Sequence, residues 1–429
     1  MMKLFPHQEA ALQSTNGKNR VAYYLDMGLG KTFLGAEKAV RMDSRTILVV
    51  CQKSKVQDWI SHFEEHYSKS WVFNLTTENG LDEYLHYSNA IVDSVAGNTM
   101  KIGVINYDLI WRRPQVLNLK NFTLILDESS LIQNTGTSRS KFILRLNPSN
   151  VILLSGTPTG GKYENLWSQL HLLGWNISEK VYDAHYVNYK KINVGGSIHK
   201  VVDKDNPYRN VERLKQKMRD HGAVFMKTEE VFELPQQNFI QINVPVTKEY
   251  LKFKRDKLIT IDGFEFVGDS LLSYRLYQRQ LCTAYNQNKI DAFRDLLNST
   301  QDRLVVFYNF NCELNVLQMV CNEFVRPISI VNGMIKDLTA YENESNSVTF
   351  VQYQAGAMGL NLQKANKIVY FSLTEESELF EQSKKRIHRI GQQKPCFYYL
   401  LISKNSIEDE EILPTLDVKK ERTDDLFEG

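Results

Sequence analysis

Apolar and polar positions along this chain fall into two alternating series, separated by a stretch of different character. Short apolar runs recur at 21–25, 45–51, 71–75, 102–107, 122–126 and 151–155. Runs rich in β-branched and apolar residues, without strict alternation, are how strands buried on both faces read. The segments between them have helical spacing. In 52–66, for example, Val56, Trp59, Ile60 and Phe63 fall on one face. A helix is also predicted over 4–12, where Pro6 suits a helix start. Strand and helix in turn predict an α/β fold with a parallel sheet and right-handed crossovers.

From 175 the pattern changes. Residues 181–210 are aromatic and polar, with Gly195-Gly196 marking a hairpin turn, and 211–226 read as a helix. Residues 233–247 are extended with alternating apolar positions, and 248–258 and 270–285 read as helices. The alternation then restarts, with strands predicted at 303–309, 328–333, 348–353, 367–372 and 397–403. The expected organisation is a first α/β lobe over 1–232 with a small helical and hairpin insertion at about 176–228. A linking segment with helices over 233–285 and a second lobe over 286–429 complete it.

Composition leaves this picture standing. A chain of 429 residues, 42% hydrophobic and 24% charged, has room for two or three ordinary globular domains. Its net charge of +2 means that any polyanion must be met by a local groove rather than by the whole surface. The five cysteines (Cys51, Cys282, Cys312, Cys321 and Cys396) are odd in number and widely spaced, with no C-x-x-C. That argues against a disulfide framework or zinc site and for a reducing compartment. The first residues lack the apolar core of a signal peptide, and no run reaches the ~18 apolar residues of a membrane span. No membrane partner is expected.

Candidate chemistry begins where the first strand ends. After 21–25 come Gly28, Leu29, Gly30, Lys31 and Thr32, and then a helix over 33–40. Strand, glycine loop and helix form the geometry that holds nucleotide phosphates. The glycines let backbone N–H groups approach, the helix N-terminus adds partial positive charge, Lys31 meets the β and γ phosphates, and the Thr32 hydroxyl can ligate Mg²⁺. The first position of the full phosphate-loop pattern is Leu25 here rather than glycine. Gln8 has an amide able to bond both edges of an adenine. Lys53, Ser54 and Lys55 lie at a strand-to-helix turn, where open α/β sheets bind ligands. The run 124–126 ends in Asp127 and Glu128; one carboxylate can serve the Mg²⁺ shell, the other can orient and deprotonate the attacking water. Ser155, Gly156, Thr157 and Pro158 close another strand. Arg386 and Arg389, three apart, would share one face of a helix and could neutralise charge on a γ-phosphate.

In order, LFPHQ, DMGLGKT, ILVVCQKS, LILDESS, LLSGTP, LVVFYNF, AGAMGLNL and QSKKRIHRIGQ resemble the successive motifs of the superfamily-two helicase-like ATPases. Within these they are most similar to the Swi/Snf family, over nearly the whole chain. The resemblance implies two RecA-like lobes in tandem, ATP between them and duplex DNA across both. It implies that Gln8, Gly28, Leu29, Gly30, Lys31, Thr32, Gly359 and Gln382 bind nucleotide. Thr32 and Asp127 would hold Mg²⁺, and Lys31, Asp127, Glu128, Arg386 and Arg389 would be catalytic. Lys53, Ser54, Asn106, Tyr107, Gln354 and Asn361 would lie along nucleic acid. The chain departs from the family pattern at Asp-Glu-Ser-Ser, where Asp-Glu-Ala-His is common. It departs also at Gln52, and at Tyr353, Gln354 and Ala357.

The resulting expectation is an ATP-dependent translocase on double-stranded DNA. It would be a compact monomeric motor of bacterial or phage type, cytoplasmic, using ATP and Mg²⁺, with a recruiting partner that the residues do not name. A strand-separating helicase on DNA or RNA, and a nucleotide-gated DNA clamp with slow turnover, remain open alternatives.

Overall fold

The apolar runs of the first half become parallel strands because both faces of each are covered. In the computed structural model, which describes residues 4–89, 99–194, 196–356 and 360–428, every residue of the run Thr46–Cys51 is buried. The chain divides into two units, residues 1–231 with 422–429, and residues 232–421.

The first unit contains α1 (Pro6–Ser14), β1 (Arg20–Leu25), α2 (Lys31–Arg41), β2 (Thr46–Cys51), α3 (Val56–His66), β3 (Ser70–Asn74), β4 (Met100–Asn106), β5 (Thr123–Asp127) and β6 (Asn150–Ser155). After these come β7 (Tyr189–Val194), β8 (Ser197–Val202) and β9 (Ala223–Met226), with further helices between. Seven strands form one sheet in the order β3-β4-β2-β5-β6-β1-β9, each neighbouring pair parallel. The register sets Tyr24 beside Ser155 and Asp127 beside Leu154. The loops after β1, β5 and β6 therefore leave the sheet together at its carboxyl edge, where such sheets bind ligands.

The reading of 211–226 as one helix is corrected. The helix ends at Asp220, and Ala223–Met226 is β9, an edge strand beside β1. Gly222 makes the break: its φ is +88°, and a Cβ there would stand 2.5 Å from the Arg20 carbonyl oxygen. β9 thus belongs to the sheet and not to the insertion at 176–228. Inside that insertion β7 and β8 form an antiparallel hairpin turning at Gly196, φ +85°. Gly195 lies outside the described residues.

The second unit contains β10 (Gln237–Pro245), β11 (Leu258–Ile261), β12 (Phe264–Val267), β13 (Leu304–Tyr308), β14 (Ile328–Val331), β15 (Lys336–Asp337), β16 (Val348–Gln352), β17 (Lys367–Tyr370) and β18 (Cys396–Lys404). Its sheet runs β10-β18-β17-β13-β16-β14-β15, parallel except for the pair β14–β15. Period-two geometry splits β13 between two cores: Leu304, Val306 and Tyr308 enter one, Val305 and Phe307 the other. The segment 233–285 is more than a link, because β10 pairs along its whole length with β18. The chain's last residues also differ from the expected second lobe. Leu426 is buried in the core of the first unit, and the Tyr163 hydroxyl lies 2.8 Å from the Arg422 carbonyl oxygen and 2.9 Å from Asp425 Oδ2. Among the described residues no helix is long and apolar enough to cross a membrane.

Candidate nucleotide site and nucleic-acid interface

Between β1 and α2 the chain turns at the carboxyl edge through two left-handed glycines, Gly28 (φ +90°) and Gly30 (φ +74°). Gly30 is the N-cap of α2 and no side chain caps that helix, so its first N–H groups suit an anion. Lys31 Nζ donates to the carbonyl oxygens of Leu25 (2.8 Å) and Asp26 (3.2 Å). The structure places Gln8 on the loop itself. Its Nε2 donates to the carbonyls of Leu29 (3.2 Å) and Gly30 (3.4 Å), and its Oε1 accepts from Phe5 N (2.9 Å). A Cβ on Gly30 would stand 2.2 Å from that Nε2, so the glycine serves this packing as well as the turn. The amide expected to read adenine is buried here and braces α1 against the glycine loop.

Asp127 ends β5, beside that loop. Burial pushes its carboxyl up, while the hydrogen bond from Trp59 and then the charges of Lys31 and Lys55 pull it down. Trp59 Nε1 donates to Asp127 Oδ2 at 2.8 Å. Glu128 follows at φ +57°, ψ +60°, a conformation that costs a non-glycine residue about 1 kcal/mol or more. The Tyr107 hydroxyl donates to the Asp127 carbonyl oxygen (3.0 Å), with the Glu128 carbonyl oxygen 3.4 Å away. Ser155 Oγ donates to Glu128 Oε2 at 3.4 Å. The departure at Ser129 has a local reason, since its Oγ donates to Gln169 Oε1 at 2.7 Å. The same buried amide accepts from Tyr24 (3.1 Å) and donates to the Pro158 carbonyl (2.7 Å), tying β1 and the loops after β5 and β6 together.

The donor set fits Mg²⁺. Thr32 supplies a hydroxyl in the first turn of α2 and Asp127 a poorly hydrated carboxylate. Among the described residues no group of three or more His, Cys, Asp or Glu is placed so that it could hold a metal ion. Mg²⁺ needs none, because it takes one or two carboxylates with phosphate and water.

In the second unit the expected helix carrying both arginines is corrected. The helix Ser377–Lys384 carries half-buried Gln382 but stops before Arg386 and Arg389, which lie in the turns that follow. After Lys384 the chain continues in turns: Arg386 N donates to the Ser383 carbonyl (3.2 Å), the Arg386 carbonyl accepts from Leu362 N (3.1 Å), and Gly391 then takes φ +96°. The two side chains consequently do not share a helix face. Arg386 is 2% exposed, with Nη1 3.5 Å from the Leu360 carbonyl oxygen. Arg389 is half-buried, and burial lowers its pKa. Gly359 lies outside the described residues.

Four of the six expected nucleic-acid residues are exposed. Lys53 and Ser54 lie in the turn between β2 and α3, and Gln354 and Asn361 follow β16. The other two are corrected: Asn106 is 3% and Tyr107 2% exposed, because the end of β4 turns them inward, and the Tyr107 hydroxyl is spent on the Asp127 backbone. Reading along the chain also misses Trp59 and Gln169. Trp59 carries the signal of any core position on a helix face, and its contact spans 68 residues.

Known families match this chain in two adjoining blocks: an SNF2-related domain over residues 24–286, and a helicase conserved C-terminal domain over 288–391. The chain belongs to the SNF2-related family. As a member it is a helicase-like ATPase. It is 23% identical, over 92% of its length, to the mouse SWI/SNF-related matrix-associated actin-dependent regulator of chromatin subfamily A member 1, of which it covers 40%. It is likewise 23% identical over 90% of its length to an uncharacterized ATP-dependent helicase of Mycoplasma genitalium, covering 38% of that protein. To a probable global transactivator of Orgyia pseudotsugata multicapsid polyhedrosis virus it is 24% identical over 89% of its length, covering 82%. The chain thus spans about two fifths of the first two of these SNF2 relatives.

Proposed function

We propose that this chain hydrolyses ATP with Mg²⁺ and uses each cycle to move along double-stranded DNA without separating its strands. The observation that supports this is the meeting, at one edge of the first sheet, of the Lys31–Thr32 loop with Asp127 and a Glu128 held in a left-handed conformation. Lys31 would exchange the Leu25 and Asp26 carbonyls for nucleotide phosphates. Thr32 and Asp127 would hold Mg²⁺, which would supply charge neutralisation at those phosphates. Glu128 orients a water and accepts its proton. Arg386 is almost fully buried, so the half-buried Arg389 is the cation assigned to the γ-phosphate charge. Exposed Lys53, Ser54, Gln354 and Asn361 are assigned to the DNA backbone, a grip that is salt-dependent and largely blind to sequence.

The test is steady-state ATP hydrolysis at low salt, first without nucleic acid, then with duplex DNA, single-stranded DNA and duplex RNA. Selective stimulation by duplex DNA is expected, with Glu128→Gln lowering the stimulated rate by roughly 10²–10⁴. Equal or greater stimulation by single strands or RNA would replace the translocase with an unwinding helicase. A Glu128→Gln protein that turned over normally would remove the site assignment.

A further inference from the structure

Trp59 occupies a core position on the apolar face of α3 and is 1% exposed. A buried indole needs an acceptor for its N–H. Here the acceptor is the Asp127 carboxylate, with Nε1 to Oδ2 at 2.8 Å. The ring is itself fixed, lying 5.9 Å from Phe63 at 29° and 6.2 Å from His62 at 80° between centroids. Holding Oδ2 sets the rotation of the carboxylate and so the direction of Oδ1. An indole is also a neutral donor. Unlike lysine or arginine it orients the carboxylate while leaving its whole negative charge for a cation.

We propose that Trp59 is a positioning residue, orienting the Asp127 carboxylate toward the divalent cation that accompanies the nucleotide phosphates. This rests on the reading of Asp127 as a metal carboxylate. Outer partners of this kind commonly carry a 10–100-fold effect on metal affinity. Because α3 begins directly after the turn bearing Lys53 and Ser54, the same indole ties the metal carboxylate to the element that starts at those exposed groups.

The test uses the full chain, a non-hydrolysable ATP analogue, and Mn²⁺ as a spin probe whose free signal is lost on binding. Trp59→Phe keeps an aromatic ring and removes the N–H. Mn²⁺ affinity in the presence of the analogue should fall about 10-fold. Affinity for the analogue in EDTA should not change, and Trp59→Phe should add no further loss in an Asp127→Asn background. A folded Trp59→Phe protein with Mn²⁺ affinity within about twofold of wild type overturns the proposal. So does an equal loss in the Asp127→Asn background, which would make Trp59 a packing residue only. If Asp127→Asn alone binds Mn²⁺ like wild type, the metal reading of Asp127 fails, and this positioning role fails with it. A second measurement leaves Trp59 in place. With the five tryptophans labelled at the indole nitrogen, Asp127→Asn should strongly shift one N–H resonance. Five unmoved resonances would overturn the hydrogen bond.

Discussion

The Tyr107 hydroxyl donates to the carbonyl oxygen of Asp127 at 3.0 Å, one peptide before Glu128 enters its left-handed conformation. Burial pushes the Tyr107 pKa well up, so the group is a neutral donor throughout the working range. Tyr107→Phe removes this bond and the longer contact of the same hydroxyl with the Glu128 carbonyl oxygen, 3.4 Å. It should destabilise the fold by about 1 kcal/mol and lower kcat roughly 10-fold, with the KM for ATP and the affinity for duplex unchanged. Kinetics with and without DNA check this; a loss of duplex affinity at constant kcat would return Tyr107 to the DNA surface.

The two arginines should separate. Arg386 is almost fully buried, so Arg386→Ala removes packing and should lower Tm together with activity. Arg389 is half-buried with its pKa lowered by burial. Arg389→Ala should lower kcat by roughly 10³ with Tm unchanged. Thermal melts beside single-turnover rates distinguish the two.

Much of this was legible along the chain, for physical reasons. Thr46–Cys51 and Leu304–Tyr308 are buried strands, and apolar runs that short have little else to become in an alternating α/β pattern. The GLGKT loop carries its own geometry, because its glycines need positive φ. What escaped depends on direction or on distance. Asn106 ends a strand as expected and Tyr107 opens the short helix that follows, but which way a strand end turns is set by its neighbours. The break at Gly222 comes from the Arg20 carbonyl, about two hundred residues earlier. The helix before Arg386 gives way to turns in which the Arg386 carbonyl accepts from Leu362 N, a partner distant in sequence. No local pattern encodes such contacts.

Stability should depend on acid through His62. Burial, and then neighbouring His66, push its pKa down from 6.5 to about 4. A depressed folded-state value means that the unfolded chain takes the proton first. The contribution is therefore fully present above pH 6.5 and is lost as pH falls toward 4, at about 1.4 kcal/mol per unit and up to about 3 kcal/mol in all. His62 packs edge-on against Phe33 at 4.6 Å, so His62→Phe keeps an aromatic ring there. Denaturant unfolding between pH 7 and 4 should show a shallower decline in that variant.

Duplex binding should report the exposed turn rather than the buried strand end. Lys53→Ala should weaken binding evenly across sequences and reduce the slope of log K against log salt by about 1. Asn106→Ala should leave that slope unchanged and lower Tm, since Asn106 is buried. Salt titrations of labelled duplex read both.

Movement along duplex DNA is tested most directly by displacement of a triplex-forming third strand placed at increasing distances from a duplex end. The account predicts ATP-dependent displacement with a lag that grows with distance, abolished by Lys31→Ala and Glu128→Gln, and no strand release from a forked duplex. Strand release from the fork, or duplex-stimulated hydrolysis with the third strand left in place, would contradict it.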